Sequence, residues 1–366
     1  MTSAATTPQR ILIIKPSSLG DIVHALPVLA AIRRAWPAAH VAWLVANAFA
    51  PLLDNHPMID EVIRFDRSRY GRMLRSPTAF AGFWRFVGEI RRRQFDLVID
   101  LQGLVRTGFF SIASGASRRV GFRHARELAW LLYSQRIRAP RDARHAVDQN
   151  MAVAAALGLD AARIEFPLAL RPAEIDRATE LLRADSPGKS AIPFIAVVAG
   201  ARWVTKQWRP ERIAALLDRL REAGFPPCVL LGAPDDREFT DGIIAAMKTG
   251  VMDLVGRTNL RELTALLSLA ALVITHDSGP MHIAAALGRP VVAIFGPTDP
   301  RRCGPYATPH RIVATPIECS PCYRRTCSHH SCMERLDVET VERAVREMLH
   351  PADQSGASAI ALPIQQ

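Results

Sequence analysis

The stretch that indicates the fold is "ILIIKPSSLGDIVHALPVLAAIRR", residues 11–34. Its first four residues are an apolar run of strand length, a polar turn follows, and apolar residues then recur at helical spacing over residues 22–34. Pro37 is expected to end that helix. Two charged residues, Lys15 and Asp21, flank the turn. A strand, a turn and a helix in this order predict the first unit of a parallel α/β sheet.

The rest of the chain repeats this alternation. Strands are predicted at residues 40–45, 61–65, 96–100, 194–198 and 228–231, and helices at residues 210–223, 237–247, 281–287 and 338–349. A short helix and a Ser-Pro-Gly break separate the two halves within residues 171–191. We therefore predict two doubly wound α/β domains, residues 1–180 and 190–350, that face a shared cleft and are followed by a disordered tail, residues 351–366. A hinge near residues 185–190 predicts that the domains close on their ligands.

Composition excludes several classes of protein. The chain has 366 residues, of which 49% are hydrophobic and 22% are charged, as in a soluble globular protein of two domains. No apolar stretch approaches the length of a membrane span, and the run before Lys15 is too short for a secretory signal. We therefore expect a cytoplasmic protein.

The positive charge lies in the first half. Residues 1–170 contain 23 Lys and Arg against 13 Asp and Glu, whereas the remainder contains 23 against 22. Arginine clusters at residues 64–75, 91–93 and 118–126 predict contact with a polyanion or an anionic surface, and the alternative is a solvated basic face. A nucleic-acid partner is not expected, because the clusters lack interleaved aromatic residues and no reading helix stands out. Salt-dependent affinity for DNA would favour that alternative.

Three strand ends in the second half carry residues suited to a nucleotide sugar. In "VITHDSGPMHIAAALGRP", residues 273–290, a helix start follows a strand and would offer N–H groups to a diphosphate. "GARWVTKQWRPERIAALL", residues 200–217, adds the cations Lys206 and Arg209, and "LGAPDDREF", residues 231–239, adds Asp235 and Asp236 for ribose hydroxyls. Taken singly, each stretch also fits a plain scaffold turn or a helix cap.

Taken together, these stretches resemble a known family. "KPSSLGDIVHALPVLAAIRR", "DLQGLVRTG", "GARWVTKQW", "LGAP" and "THDSGPMHIAAALGRPVVAIFGPTDP" resemble the ADP-heptose:lipopolysaccharide heptosyltransferases of glycosyltransferase family 9, in family order over residues 10–349. The amino-terminal turn is similar to that of the heptosyltransferase I branch. The resemblance implies a GT-B fold, in which two Rossmann-like domains face a cleft and the first domain binds the acceptor. It also implies inverting transfer of heptose from ADP-heptose to Kdo or heptose in the inner core of lipopolysaccharide.

The resemblance also assigns residues to roles. Asp21 matches the general base for the acceptor hydroxyl, and a single base suffices for inversion; the alternative is that Asp21 is the N-cap of the following helix. The residues matching the donor site are Lys206, Asp236, Asp277, Ser278, Gly279 and His282, with Glu238 competing for the role of Asp236. The acceptor-side candidates are Arg126, Arg67, Arg69 and Gln102, although Gln102 could instead satisfy turn backbone. With Lys206 and helix N–H groups on the diphosphate, catalysis is expected to require no metal.

One segment departs from this account. "ECSPCYRRTCSHHSCM", residues 318–333, places Cys319, Cys322, Cys327 and Cys332 at spacings compatible with a tetrahedral, structural zinc site. The alternative is a loop of reduced thiols, because a disulfide is disfavoured in the cytoplasm.

The expected partners are therefore ADP-heptose, a Kdo-lipid A type acceptor and the anionic inner-membrane surface, with the protein peripheral on the cytoplasmic face. Two alternatives keep the fold: a family 9 transferase with another nucleotide sugar or acceptor, and an epimerase, which would need further acids around the sugar.

Overall fold

The computed structural model describes residues 7–72, 75–184 and 193–349. The tail predicted over residues 351–366 and the hinge predicted near residues 185–190 lie outside the described residues. Within the described part of the chain, no helix combines the length and the apolar character needed to cross a membrane.

The first half of the chain is built on a parallel sheet with the strand order β3-β2-β1-β4-β5-β6. Its strands are β1 Arg10–Ile14, β2 His40–Ala46, β3 Glu61–Phe65, β4 Leu97–Asp100, β5 Arg118–Phe122 and β6 Gln135–Ile137. The helices are α1 Leu19–Val23, α2 Leu26–Ala35, α3 Arg67–Tyr70, α4 Pro77–Arg92, α5 Val105–Ala113, α6 Ala146–Ala156 and α7 Pro172–Ala184. We call residues 7–156 the first lobe.

The second half is built on another parallel sheet, with the order β12-β11-β10-β7-β8-β9. Its strands are β7 Ile195–Val198, β8 Cys228–Leu231, β9 Met252–Asp253, β10 Leu272–His276, β11 Val291–Phe295 and β12 His310–Ala314. The helices are α8 Pro210–Glu222, α9 Arg237–Ala246, α10 Leu260–Leu269, α11 Gly279–Ala286, α12 Pro300–Cys303, α13 Ser331–Glu334 and α14 Val338–Leu349. We call residues 193–349 the second lobe.

The two sheets share one topology. Counted from its own first strand, the second sheet has the same order as the first, read from the opposite edge. In each sheet the first three strands are added in one direction and the last three in the other. The order reverses beside the first strand, between β1 and β4 and between β7 and β10. Ligands of open parallel sheets bind beyond the carboxyl ends of the strands at such a switch point. The fold therefore marks the ends of these four strands as candidate site positions.

The strands are buried because helices cover both faces of each sheet. The side chains of residues 11–14 are fully buried, as are those of residues 195 and 196 and residues 291–293. Continuous apolar runs of this kind are typical of strands in doubly covered parallel sheets. The largest buried cluster also joins the lobes, since it contains Ile11 of β1, Met281 of α11 and Val273 of β10.

The prediction of one helix over residues 22–34 is wrong. The segment forms two helices, α1 and α2, with His24 and Ala25 between them. Pro27 is the cause, because proline has no backbone N–H to donate to the carbonyl of Val23 and its ring clashes with that carbonyl. The break leaves a short helix, α1, that carries Asp21 at the edge of the cleft.

The predicted domain limits, residues 1–180 and 190–350, stay a prediction. Helix α7 follows the first lobe in sequence but packs along α10 of the second lobe. Arg261 of α10 donates to the Glu174 carboxylate of α7 at 2.5 Å and holds the pKa of Glu174 at about 2, even though burial opposes this shift.

Candidate active site

The turn between β1 and α1 holds the predicted base, Asp21. Ser18 is the N-cap residue of α1, and Asp21 is the third residue of this helix. The Asp21 carboxylate accepts hydrogen bonds from the Ser18 backbone N–H at 2.9 Å and from the Ser18 hydroxyl at 2.7 Å. Asp21 therefore completes a capping box, and the alternative that Asp21 is itself the N-cap is wrong.

A buried lysine faces the same carboxylate. The Lys15 ammonium donates to the carbonyl of Leu101 at 2.7 Å and lies 3.9 Å from Oδ1 of Asp21. Burial raises the pKa of Asp21, but the Lys15 charge and the two Ser18 hydrogen bonds outweigh burial and hold this pKa below its ordinary value. The carboxylate is therefore ionised at neutral pH, and with 42% of its side chain exposed it can still meet a substrate hydroxyl.

Two acceptor-side candidates follow neighbouring strands, Gln102 after β4 and Arg126 after β5. The Oε1 atom of Gln102 accepts a hydrogen bond from the Ser17 backbone N–H at 3.4 Å, so Gln102 satisfies turn backbone, one of the two roles considered for it. Arg126 donates its backbone N–H to the carbonyl of Gly103 at 2.9 Å. Its side chain is exposed and makes no ion pair with another described residue. The structure thus brings Gln102 and Arg126 to one corner of the cleft.

A buried acid, missed by sequence reasoning, organises this corner. Asp100, the last residue of β4, accepts hydrogen bonds from the Tyr133 hydroxyl at 2.7 Å and from the Gln102 backbone N–H at 2.9 Å. Burial raises the pKa of Asp100 in spite of these bonds. Because Asp100 is fully buried, we interpret it as a structural residue that shapes the turn before Gln102.

Arg67 and Arg69 lie further from the base. They belong to α3, which follows β3 at one edge of the first sheet, and β2 separates β3 from β1. Two strand spacings are about 10 Å. Both side chains are exposed, and the Arg69 guanidinium lies 5.9 Å from the ring centroid of Tyr70. These arginines, like Asp21, follow the carboxyl end of a strand of the first sheet, but they do not lie beside Asp21.

On the donor side, Lys206 forms a buried ion pair with Asp277. Its ammonium lies 2.6 Å from Oδ2 of Asp277 and also donates to the Asp277 carbonyl at 3.2 Å. The same carboxylate oxygen accepts a hydrogen bond from the Thr298 hydroxyl at 2.7 Å. A carboxylate repels a diphosphate, so we interpret Asp277 as the residue that positions the Lys206 cation.

An aromatic ring and a second cation accompany Lys206. The Lys206 ammonium lies 4.5 Å from the ring centroid of Trp203, and the Arg325 guanidinium lies 5.0 Å from that centroid. Arg325 belongs to the cysteine-rich segment and was not predicted as a site residue, because more than a hundred residues separate it from Lys206 in the sequence.

His276 fixes the loop that carries Lys206. Its Nδ1 donates to the carbonyl of Ala199 at 2.7 Å, and its Nε2 accepts from the Trp208 backbone N–H at 2.9 Å. Burial lowers the pKa of His276 to about 4, so the ring is neutral, as these two bonds require. The imidazole therefore ties together both ends of the loop formed by residues 200–207.

The start of α11 meets α1 across the cleft. Ser278 is the N-cap residue, with its hydroxyl 3.3 Å from that of Thr275. A Cβ atom on Gly279 would lie 2.6 Å from Cδ2 of Leu19, and one on Gly20 would overlap the imidazole of His282. Glycine at both positions therefore allows the helices of the two lobes to touch.

Two histidines bridge the lobes at this contact. His24 Nε2 and His282 Nδ1 are 2.9 Å apart, and both side chains are buried. Burial lowers the pKa of His282 to about 4, while Asp277 and Asp21 oppose this shift. His282 is thus close enough to feel the charge of the base in the first lobe and of the donor-side ion pair in the second. The His24–His282 contact was not predicted from the sequence.

Asp236 lies where the sequence predicted it, beyond the ends of β7 and β8. A Cβ atom on Gly200 would overlap its carboxylate, which accepts the Ala233 N–H at 2.8 Å. Burial raises the pKa of Asp236, and Asp235 adds to the effect. Glu238 is exposed on α9, which favours Asp236 as the ribose ligand.

The cysteine-rich segment packs against the donor loop. The Thr205 hydroxyl donates to the Arg324 carbonyl at 2.8 Å, and Nε2 of His330 lies 2.8 Å from the carbonyl of Thr205. A cavity of about 330 Å³ beside this contact is lined by Cys319, Cys322, Cys327 and Cys332. In the described ranges, however, no three Cys, His, Asp or Glu side chains are placed to hold a metal ion. The zinc site stays a prediction.

Comparisons with known proteins agree with this geometry. The family model of glycosyltransferase family 9 (heptosyltransferase) matches residues 83–333. Lipopolysaccharide heptosyltransferase 1 of Pseudomonas aeruginosa is 28% identical over 336 residues, which are 91% of this chain and 92% of the relative. The glycosyl transferase family 9 structure from Veillonella parvula has a TM-score of 0.81 and 25% identity, covering 93% of this chain and 97% of its own. The structure of Escherichia coli heptosyltransferase WaaC with ADP-2-deoxy-2-fluoro heptose has a TM-score of 0.73 and 25% identity, and the match covers 92% of this chain and 99% of that chain.

Two Rossmann-like sheets that face one cleft, with an ionised acid on one side and a lysine on the other, define a glycosyltransferase of the GT-B fold. The chain belongs to glycosyltransferase family 9, the heptosyltransferase family. The predictions of the family, of the fold and of a glycosyltransferase are therefore confirmed.

Proposed function

We propose that this protein is an inverting heptosyltransferase that moves heptose from ADP-heptose to Kdo or heptose in the inner core of lipopolysaccharide. The observation that carries this proposal is the contact between α1, which holds Asp21, and His282 of α11, which begins two residues after the Lys206 partner Asp277. This contact would bring a base on the acceptor side and a cation on the donor side to one cleft, as a single displacement requires.

Asp21 acts as the general base in this mechanism. The acceptor hydroxyl gives its proton to the Asp21 carboxylate while its oxygen forms a bond to the anomeric carbon of the heptose. The bond from that carbon to the diphosphate oxygen breaks, and ADP leaves with the electron pair. One displacement inverts the anomeric centre, so no covalent enzyme intermediate is needed.

Lys206 and the start of α11 stabilise the leaving group. The diphosphate gains negative charge as the bond breaks, and a fixed ammonium with helix N–H groups favours that charge. Asp277 keeps the ammonium in place, while Asp236 is positioned for a ribose hydroxyl. This cation takes the place that a divalent metal has in other transferases, so we propose that transfer needs no divalent metal at the diphosphate.

The acceptor side indicates where in the cell the enzyme would act. Arg126 and the more distant Arg67 and Arg69 would bind the carboxylates and phosphates of a Kdo-lipid A type acceptor. Such an acceptor is anchored in a bilayer, so we propose that the enzyme acts as a peripheral protein on the cytoplasmic face of the inner membrane.

The cysteine-rich segment would serve the donor loop. We propose that zinc held by the four cysteines of residues 319–332 would fix Arg325 and His330 against residues 203–206. Metal analysis of the purified protein tests this assignment. About one zinc per chain, lost on replacement of Cys327 and Cys332 by serine, is expected, and a chain without metal would contradict it.

Transfer from ADP-heptose to a Kdo-lipid A acceptor, compared between the wild type and Asp21→Asn, tests the proposed function. Asparagine can still accept the Ser18 hydrogen bonds but cannot take a proton. We expect kcat to fall about 10²- to 10⁴-fold while ADP affinity is kept. A variant with the wild-type rate would refute the base.

An inert wild type would favour the alternative of a family 9 transferase with another nucleotide sugar or acceptor. Screening nucleotide sugars by calorimetry would then identify the donor.

A further inference from the structure

The first lobe exposes an unusual set of large apolar side chains. They lie on α4, on α5 and around the 3-10 turn Ala129–Leu132, and they are 45% to 63% exposed. We call this set the apolar face: Phe80, Trp84, Val105, Ile112, Leu128 and Leu131.

These residues form one surface because the elements that carry them pack together. On α4, the rings of Phe80 and Trp84 lie 6.2 Å apart. The Trp84 ring also lies 6.2 Å from Phe109 of α5, and Gly108 of α5 packs against Leu132 of the 3-10 turn. The core thus holds α4, α5 and the turn side by side, while their outer residues remain in water.

Arginines surround the apolar face. Residues 80–131 contain nine arginines and four acids, and one of these acids, Asp100, is fully buried. On the outer side of α4 and α5, four exposed arginines make no ion pair with another described residue: Arg85, Arg91, Arg92 and Arg106. A second copy of the chain or an ordinary protein partner would meet a surface whose charge is mostly of one sign, whereas an anionic layer complements it.

The apolar face begins where the acceptor corner ends. Val105, the first residue of α5, donates its backbone N–H to the Glu127 carboxylate at 3.1 Å, and Leu128 follows directly. Arg126, an acceptor-side candidate, is the neighbour of Glu127. If a bilayer lay against the apolar face, an acceptor anchored in that bilayer would enter the cleft at the corner that holds Arg126.

We propose that the apolar face is a docking surface for a bilayer of anionic phospholipids. Its aromatic and aliphatic side chains enter the boundary between headgroups and acyl chains, and the surrounding arginines contact lipid phosphates. This inference rests on the proposed function, since a lipid-anchored acceptor gives the docking its purpose.

Co-sedimentation of the full chain with vesicles that lack any lipopolysaccharide acceptor tests the proposal. The vesicles contain phosphatidylcholine alone or with phosphatidylglycerol. We expect binding to the anionic vesicles that weakens with salt, and a loss of affinity of at least about tenfold in the Phe80→Ser, Trp84→Ser double variant. Arg85→Glu with Arg92→Glu should lose the anionic preference. The control is Ile244→Ser on α9 of the second lobe, where the side chain is 37% exposed.

Melting temperatures near that of the wild type confirm that the variants are folded. Equal vesicle binding by the wild type and both face variants would overturn the proposal, as would tighter binding to duplex DNA than to anionic vesicles.

A second assay separates this inference from the proposed function. Transfer to a soluble, deacylated acceptor should be the same in the wild type and in the Phe80→Ser, Trp84→Ser variant, because these residues lie outside the cleft. If the wild type transfers nothing but binds vesicles, the proposed function fails and the docking surface stands. If transfer is normal and vesicle binding is absent, the docking surface fails alone.

Discussion

The Lys206 ammonium contacts both an acid and an aromatic ring. It pairs with Asp277 at 2.6 Å and lies over Trp203, whose ring also faces Arg325. The ion pair orients the ammonium before any ligand arrives, so little of the binding free energy is needed to order it. Two cations near one ring also raise the question of which one holds the diphosphate.

Lys206→Met should answer this question when it is compared with Arg325→Met. Removing a cation that contacts phosphate costs about 1.5–3 kcal/mol, or roughly 10- to 150-fold in Kd. We expect that loss of ADP affinity for Lys206→Met and a small change for the exposed Arg325→Met. Isothermal titration calorimetry with ADP makes the measurement. A larger effect of Arg325→Met would transfer the phosphate role to the cysteine-rich segment.

At the scale of elements, the short helix α1 carries the catalytic proposal. Pro27, the second residue of α2, ends the helical hydrogen bonding between α1 and α2. Ser18 and Asp21 cap α1, and Gly20 lets it approach α11. Helix α11 in turn follows the strand whose last residue, His276, fixes the donor loop. The two short helices thus connect the turn of the base with the donor side through the contacts of Gly20 with His282 and of Gly279 with Leu19.

Gly20→Ala should damage this contact. The added Cβ atom would overlap the His282 imidazole, so we expect a loss of stability of about 1–3 kcal/mol and a fall in kcat. The matched control is Gly88→Ala within α4, where the added Cβ meets nothing within 4 Å. There the replacement should stabilise the protein by about 0.5–1 kcal/mol. Urea unfolding gives both values, and a Gly20→Ala protein as stable and active as the wild type would mean that the lobes do not touch here.

At the scale of the whole molecule, a neutral histidine cluster joins the lobes. The rings of His145 and His24 meet edge to face, with their centroids 5.1 Å apart, and His24 Nε2 lies 2.9 Å from His282 Nδ1. Burial lowers the pKa of all three rings. Nδ1 of His24 has no hydrogen-bond partner among the described residues. A protonated imidazole needs an acceptor for each of its two N–H groups, so protonating His24 would leave a buried N–H unpaired.

The protein should therefore lose stability in mild acid. His282 has a pKa of about 4 when folded and 6.5 when unfolded, so below pH 6.5 the unfolded chain binds a proton that the folded chain does not. Stability from this group is present above pH 6.5 and is lost as the pH falls towards 4. Thermal melts from pH 7.5 to 4.5 should show a shallower slope for His282→Gln and an unchanged slope for the exposed His329→Gln. Identical slopes in all three proteins would exclude the cluster as the cause.

The local pattern of the sequence predicted β1 to β4, β7, β8 and β10, and the helices α7, α8, α9, α11 and α14. It did not predict the remaining strands, nor the helices α4, α5, α6 and α10. Most residues of the strands at each switch point are apolar, and such a run needs only its own residues to signal a buried strand. The same holds for Lys206, Asp236 and Asp277, because parallel strands bring their carboxyl ends to one edge whatever the details of packing. The break at residues 24 and 25 was missed because an apolar helical period masked the effect of Pro27.

The sequence by itself thus determined two doubly wound sheets, the strand ends that face the cleft and the acid and lysine that stand there. Tertiary structure alone decided the partners of those residues: Lys15 beside Asp21, Asp277 on Lys206, and His24 on His282 across 258 residues of sequence. It also decided that α4, with the exposed Phe80 and Trp84, packs beside α5. The reason is physical: a strand or helix is specified by the spacing of its own residues, whereas the contact between distant side chains depends on how separate elements pack.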